Sequence, residues 1–96
     1  MNNTEIKNII ARELERNGTI FAGIFGSFAR GEENAESDID ILVRFKEPKS
    51  LFEIVRMEQK LGESVGRKVE IVTEKALHPY IAPSVRQDLQ PIYGER

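Results

Sequence analysis

The sequence contains no cysteine, which excludes a disulfide framework and a zinc–thiolate site and makes a reducing cytoplasm the simplest expected compartment. It has no run approaching the roughly 20 apolar residues of a membrane span. Its first residues lack the uninterrupted apolar stretch of a signal peptide, because Glu5, Lys7, Arg12 and Glu13 break it. Charge of one sign is also missing. With 14 basic and 16 acidic residues the formal net charge is −2, so no strong general nucleic-acid binding is expected, although local groups can hold a mononucleotide. At 96 residues the chain is expected to be a single domain, residues 1–96, with a radius of gyration of roughly 12 Å. A core of that size supports one sheet with helices on one side.

The pattern along the chain alternates between helix and strand periods. Over residues 4–17, Ile6, Ile9, Ile10 and Leu14 share one helical face that Lys7, Arg12, Glu13 and Arg16 avoid, and Gly18 stands where a C-terminal cap is expected. Residues 20–25, 38–45 and 68–73 read as three strands from their apolar, β-branched character. Ser50 followed by Glu53 reads as a capping box opening a helix whose buried stripe is Leu51, Ile54, Val55 and Leu61, ended by Gly62 or Gly66. Ile81, Val85 and Leu89, at spacings of four, suggest a short helix with Pro83 in its first turn, and Ile92 and Tyr93 a fourth strand. Residues 32–37, polar except for Ala35, look like an extended loop. The expected fold class is α+β in two layers, a small mixed sheet with helices packed mainly on one face.

The chemistry concentrates between Gly26 and Asp40: GSFARG, six loop residues, then Asp38, Ile39 and Asp40. Gly26 lacks a Cβ, so a phosphate can approach the backbone, and Ser27 offers a hydroxyl and amides at the start of a helical turn. One turn later Arg30 can supply a forked, permanently charged donor to phosphate oxygens, and Gly31 would end the turn. A plain strand-to-helix turn with a capping serine and a surface arginine is the alternative.

Asp38 and Asp40 lie two apart, so on a strand they share a face with Cα atoms roughly 6.5 to 7 Å apart, while Ile39 and Ile41 point into the core. Two hard anionic ligands so placed can bind one magnesium ion and help hold a second at about 3.5 to 4 Å for an in-line displacement at phosphorus. Aspartate is disfavoured inside strands, which favours this reading over two solvated acids. Glu70, flanked by Val69 and Ile71, is the candidate third carboxylate; the alternative is a surface acid on an edge strand. Should it not serve, Glu33 and Glu36 are nearest in sequence. His78, the only histidine, reads as a loop residue rather than a catalytic one, and Phe28 as core rather than a base-stacking platform.

On Gly26, Ser27, Arg30, Gly31, Asp38, Asp40 and Glu70 the chain resembles the minimal nucleotidyltransferases of the DNA polymerase β-like superfamily, over nearly its whole length. The resemblance implies that fold and assigns the triphosphate to Gly26, Ser27 and Arg30. It implies a catalytic metal site of Asp38, Asp40 and the third acid, where the family usually has aspartate and this chain has Glu70, one methylene longer. Small members of the family look like antitoxins paired with an all-helical HEPN toxin, which some inactivate by attaching AMP to a tyrosine.

The function expected from the resemblance is transfer of AMP or another nucleotide from ATP, with magnesium, to a hydroxyl on a HEPN-type helical partner. Two other readings stand beside it. One is an antitoxin that neutralises its partner by contact alone, which Glu70 in place of aspartate favours. The other is the catalytic subunit of a small-molecule nucleotidyltransferase, whose acceptor domain would come from a dimer or a separate subunit.

Overall fold

In a computed structural model of the chain, residues 2–31 and 38–94 are described; the loop reading of residues 32–37, with Glu33 and Glu36, lies outside them. Helix α1 spans Asn3–Arg16 and opens on Asn2, whose side chain accepts from the Glu5 amide at 2.8 Å. This closes the first turn as an N-cap should. Ile6, Ile10 and Leu14 form its buried face. Gly18, at φ 75°, then turns the chain into strand β1, Thr19–Phe25.

The remaining elements are the short helix α2 (Gly26–Arg30), β2 (Ile39–Phe45), α3 (Leu51–Val65), β3 (Val69–Thr73), a single 3-10 turn at Glu74–Ala76, α4 (Ala82–Asp88) and β4 (Gln90–Gly94). The strands form one sheet in the order β3-β2-β1-β4. β1 is antiparallel to both β2 and β4, and β2 runs parallel to β3. A parallel pair needs a crossover, which α3 supplies. The expected mixed sheet and two-layer α+β class are therefore what the chain adopts.

The two faces of the sheet differ. On one, Ala22 and Ile24 of β1, Ile39, Ile41 and Val43 of β2, and Val69 and Ile71 of β3 join the buried faces of α1 and α3 in the main core. By strand alternation, Gly23, Asp40 and Glu70 point to the other face. There α4 covers part of the sheet: Leu89, at its end, packs so tightly over Gly23 that a Cβ on Gly23 would meet Leu89 Cδ1 at 2.6 Å. At the β3 edge, Glu58 of α3 accepts a 2.7 Å hydrogen bond from the Ile71 amide, satisfying a donor that an edge strand would otherwise present to solvent.

The N-cap half of the capping box read at Ser50 forms, with the Glu53 amide donating to Ser50 Oγ at 3.2 Å, and the Glu53 side chain turns back to accept from Ser50 Oγ at 3.3 Å. Helix α3 ends at Gly66, in the left-handed region. The expected stripe is corrected in part. Met57, Leu61 and Val65 are buried and Ile54 packs against the core, whereas Leu51 is 76% exposed and Val55 40% exposed. At about 100° per residue, Val55 stands round the helix from Ile54 and, with Leu51, lies off the face that Ile54, Met57, Leu61 and Val65 turn to the core. In α4, Val85 is buried and a proline occupies the first turn, as the spacing indicates, but Ile81 precedes the helix and is exposed. Pro91 in β4 sits on an edge strand, where a missing amide is tolerated. Among the described residues no helix is long and apolar enough to cross a membrane.

Candidate active site

The acids come together because of strand register. β2 and β3 are parallel with Asp40 opposite Glu70, and β1 is antiparallel with Phe25 opposite Asp40. The end of β1, where the chain turns into α2, is thereby brought beside the β2 acid. Gly26, the first residue of that turn, has φ 76° and stands so close to Asp40 that a Cβ there would lie 2.6 Å from Asp40 Oδ2. Its left-handed backbone calls for glycine, and any side chain there would have to displace the Asp40 carboxylate.

Burial raises the Asp40 carboxyl from its ordinary range to about 6, reinforced by the charges of Glu70 and Asp38 and by a hydrogen bond that the protonated Asp40 carboxyl donates to Glu70, while the Arg30 guanidinium pulls it back down. Strand register sets Glu70 beside Asp40 and the chain sets Asp38 two residues from it, while Arg30 ends the short helix that begins at Gly26, against Asp40. Their positions differ. Asp38 lies just ahead of β2, its side chain 43% exposed and 4.0 Å from Lys68 Nζ. Glu70 is exposed at its rim.

Helix α2 begins with Phe25 at its cap position and no side-chain cap hydrogen bond. Ser27 is therefore not the N-cap; it lies half-buried in the first turn. Gly31 ends the helix at φ 72°, as read from the sequence. Arg30 differs from the simple picture of a phosphate donor facing solvent, because its Nη1 bonds Asp88 Oδ2 at 2.6 Å. Asp88 and Lys68 are polar neighbours that the sequence reading missed. Asp88 is 58 residues from Arg30 along the chain, and no local pattern could have paired them.

Phe28 is buried with the Arg67 guanidinium 5.1 Å from its ring centroid, so it belongs to the core. His78 is exposed, stacks on Tyr80 and accepts from the Tyr80 amide through Nδ1, in keeping with a loop role.

Among the described residues no three His, Cys, Asp or Glu side chains are gathered into a metal cluster. The donors form an open arrangement, Asp40 against Glu70 with Asp38 beside them. That arrangement suits magnesium, which is typically held by one or two carboxylates while substrate phosphates and water complete its shell.

The profile of the nucleotidyltransferase domain family matches residues 5–92. A candidate protein adenylyltransferase of Methanocaldococcus jannaschii is 46% identical over 81 residues, covering 84% of this chain and 87% of that protein. The protein adenylyltransferase MntA of Thermococcus cleftensis is 38% identical over 89 residues, 88% of this chain and 90% of its own length. Among solved structures, a complex of a tri-AMPylated Shewanella oneidensis HEPN toxin with an MNT antitoxin superposes with a TM-score of 0.78 at 20% identity. It covers 96% of this chain and 72% of the matched one, and at that identity it speaks to the fold. The chain belongs to the nucleotidyltransferase domain family, in its minimal form, and is a nucleotidyltransferase.

Proposed function

We propose that this chain transfers AMP from ATP to a hydroxyl on a protein partner of the HEPN type. The observation that carries the reading is the registered Asp40–Glu70 pair facing Gly26, with the Asp40 carboxyl raised to about 6. The partner class is supported by the adenylyltransferase relatives and by the HEPN complex of similar fold.

In this reading Gly26 lets the triphosphate approach the backbone, and Ser27 and Arg30 contact its oxygens. Asp38, Asp40 and Glu70 would hold magnesium, which when bound neutralises charge on the phosphates and on the attacking and leaving oxygens. The acceptor oxygen attacks the α-phosphorus, a new O–P bond forms, and the bond from the α-phosphorus to its bridging oxygen breaks as pyrophosphate leaves. The acceptor's proton passes to a carboxylate. Glu70 suits that task, because it stands beside Asp40 in the strand register and is exposed where an acceptor must enter. The extra methylene relative to aspartate is accommodated at the open rim.

Labelled ATP, magnesium and a HEPN-type helical protein are the ingredients of the test. Label appearing covalently on the partner supports adenylylation. Tight association of the two proteins without label would replace it with neutralisation by contact.

A further inference from the structure

Two side chains far along the sequence, Asp88 and Gln90, meet the last turn of α2, and Lys7 of α1 bonds the second of them. Arg30 Nη1 bonds Asp88 Oδ2 at 2.6 Å. Gln90 Nε2 donates to the Ala29 carbonyl at 2.7 Å, and Lys7 Nζ donates to Gln90 Oε1 at 3.2 Å. Asp88 ends α4 and Gln90 opens β4, so one junction grips both the backbone of α2 and the guanidinium it carries. The Ala29 carbonyl belongs to the last turn of a helix, where carbonyls lack helical partners, and Gln90 supplies one.

Asp88 is placed against local preference, since a negative charge at a helix C-terminus opposes the helix dipole. Its use lies across the gap, at Arg30. A partly exposed ion pair adds little to stability, but it can hold a long side chain in one geometry. A guanidinium carries its five donors in a rigid fork, and a fork already oriented loses less freedom when phosphate binds.

We propose that Asp88 is a positioning residue for nucleotide transfer. It holds the Arg30 guanidinium toward the triphosphate while Gln90, braced by Lys7, fixes the helix end beneath it. The inference rests on the assignment of Arg30 to the triphosphate made above, and goes beyond it by naming what sets Arg30's orientation.

The test is titration of the full chain with a non-hydrolysable ATP analogue and with adenosine, for wild type, Asp88→Ser, Asp88→Glu, Arg30→Ala and the Asp88→Ser/Arg30→Ala double variant. Freezing one flexible side chain is worth about 3- to 10-fold in affinity, so Asp88→Ser should weaken the triphosphate by that factor and leave adenosine unchanged. Asp88→Glu should restore much of the loss, and Asp88→Ser should add nothing once Arg30 is removed. Melting temperature is followed in parallel; if Asp88→Ser does not fold, Asp88→Asn carries the same prediction with a smaller loss. Unchanged or tighter triphosphate binding by a folded Asp88→Ser, with Arg30→Ala still impaired, would overturn the positioning role and leave the Arg30 assignment intact. Equal weakening of both ligands would overturn it in favour of a structural role. Full triphosphate binding by Arg30→Ala would remove the Arg30 assignment itself and the inference with it.

Discussion

The two faces of β2 differ by one residue of spacing and do opposite things. Ile39, Ile41 and Val43 are fully buried in the main core beneath α1 and α3. Asp40, between the first two, faces Gly26 and Glu70. The period-2 pleat separates them, so a strand can hold its fold with one face and crowd carboxylates on the other. The acidic face works against stability: a carboxyl pushed up to about 6 is ionised in the folded protein at neutral pH only at a cost. The apolar face offsets that cost.

The largest expected effect breaks the comparison from the acidic side. Asp40→Asn, nearly isosteric, should reduce nucleotide transfer by about 10³-fold or more, since a ligand to the reacting centre is lost, with the fold retained. Asp38→Asn should act in the same direction. On the other face, Ile41→Ala should destabilise by about 2 to 5 kcal/mol, as truncation of a buried isoleucine does. Denaturant unfolding of these variants beside a transfer assay checks that the two kinds of loss stay on their own faces.

A smaller effect belongs to α2. Ser27→Ala and Arg30→Ala should weaken ATP more than adenosine, by about 1.5 to 3 kcal/mol for the charged contact. Calorimetry with both ligands reads the difference, and equal losses would move these residues away from the phosphates.

The smallest effect sharpens the comparison by pH. Because the folded-state value for Asp40 lies above its unfolded value of 3.8, the folded protein holds the extra proton between 3.8 and about 6, and stability falls as pH rises through that window. Asp40→Asn removes the penalty. Its melting temperature should exceed wild type above pH 6 and approach it near pH 4. Allowing for solvent screening at a partly exposed group, the difference is on the order of 1 kcal/mol, and magnesium should narrow it. A variant no more stable than wild type at pH 8 would mean that Asp40 is not strained.

Much of this was legible in sequence because it is local. Asp38 and Asp40 bracketing Ile39 declare a face, the strand periods place it, and the Ser50–Glu53 pair marks the start of α3 with its cap. Gly26 was legible as a place where a phosphate could approach the backbone, but its positive φ and its packing against Asp40 were not, since the packing follows from the β1–β2 register. Leu51 and Val55 mislead for a related reason. Apolar residues four apart share a helix face, but which face meets the core follows from packing, and Ile54, Met57, Leu61 and Val65 bury one that Leu51 and Val55 stand round from. The Arg30–Asp88 pair was invisible, because charged residues at the ends of two short helices carry no mark of partnership until the chain is folded.

The central claim is that the Asp40–Glu70 pair is where nucleotide is transferred, and Glu70→Gln tests it most directly. Single-turnover transfer of labelled AMP to the partner is measured beside ATP affinity. The account predicts a fall in transfer of about 10²- to 10⁴-fold with little change in ATP binding, and Glu70→Asp retaining or exceeding wild-type transfer. Full transfer by Glu70→Gln would contradict it.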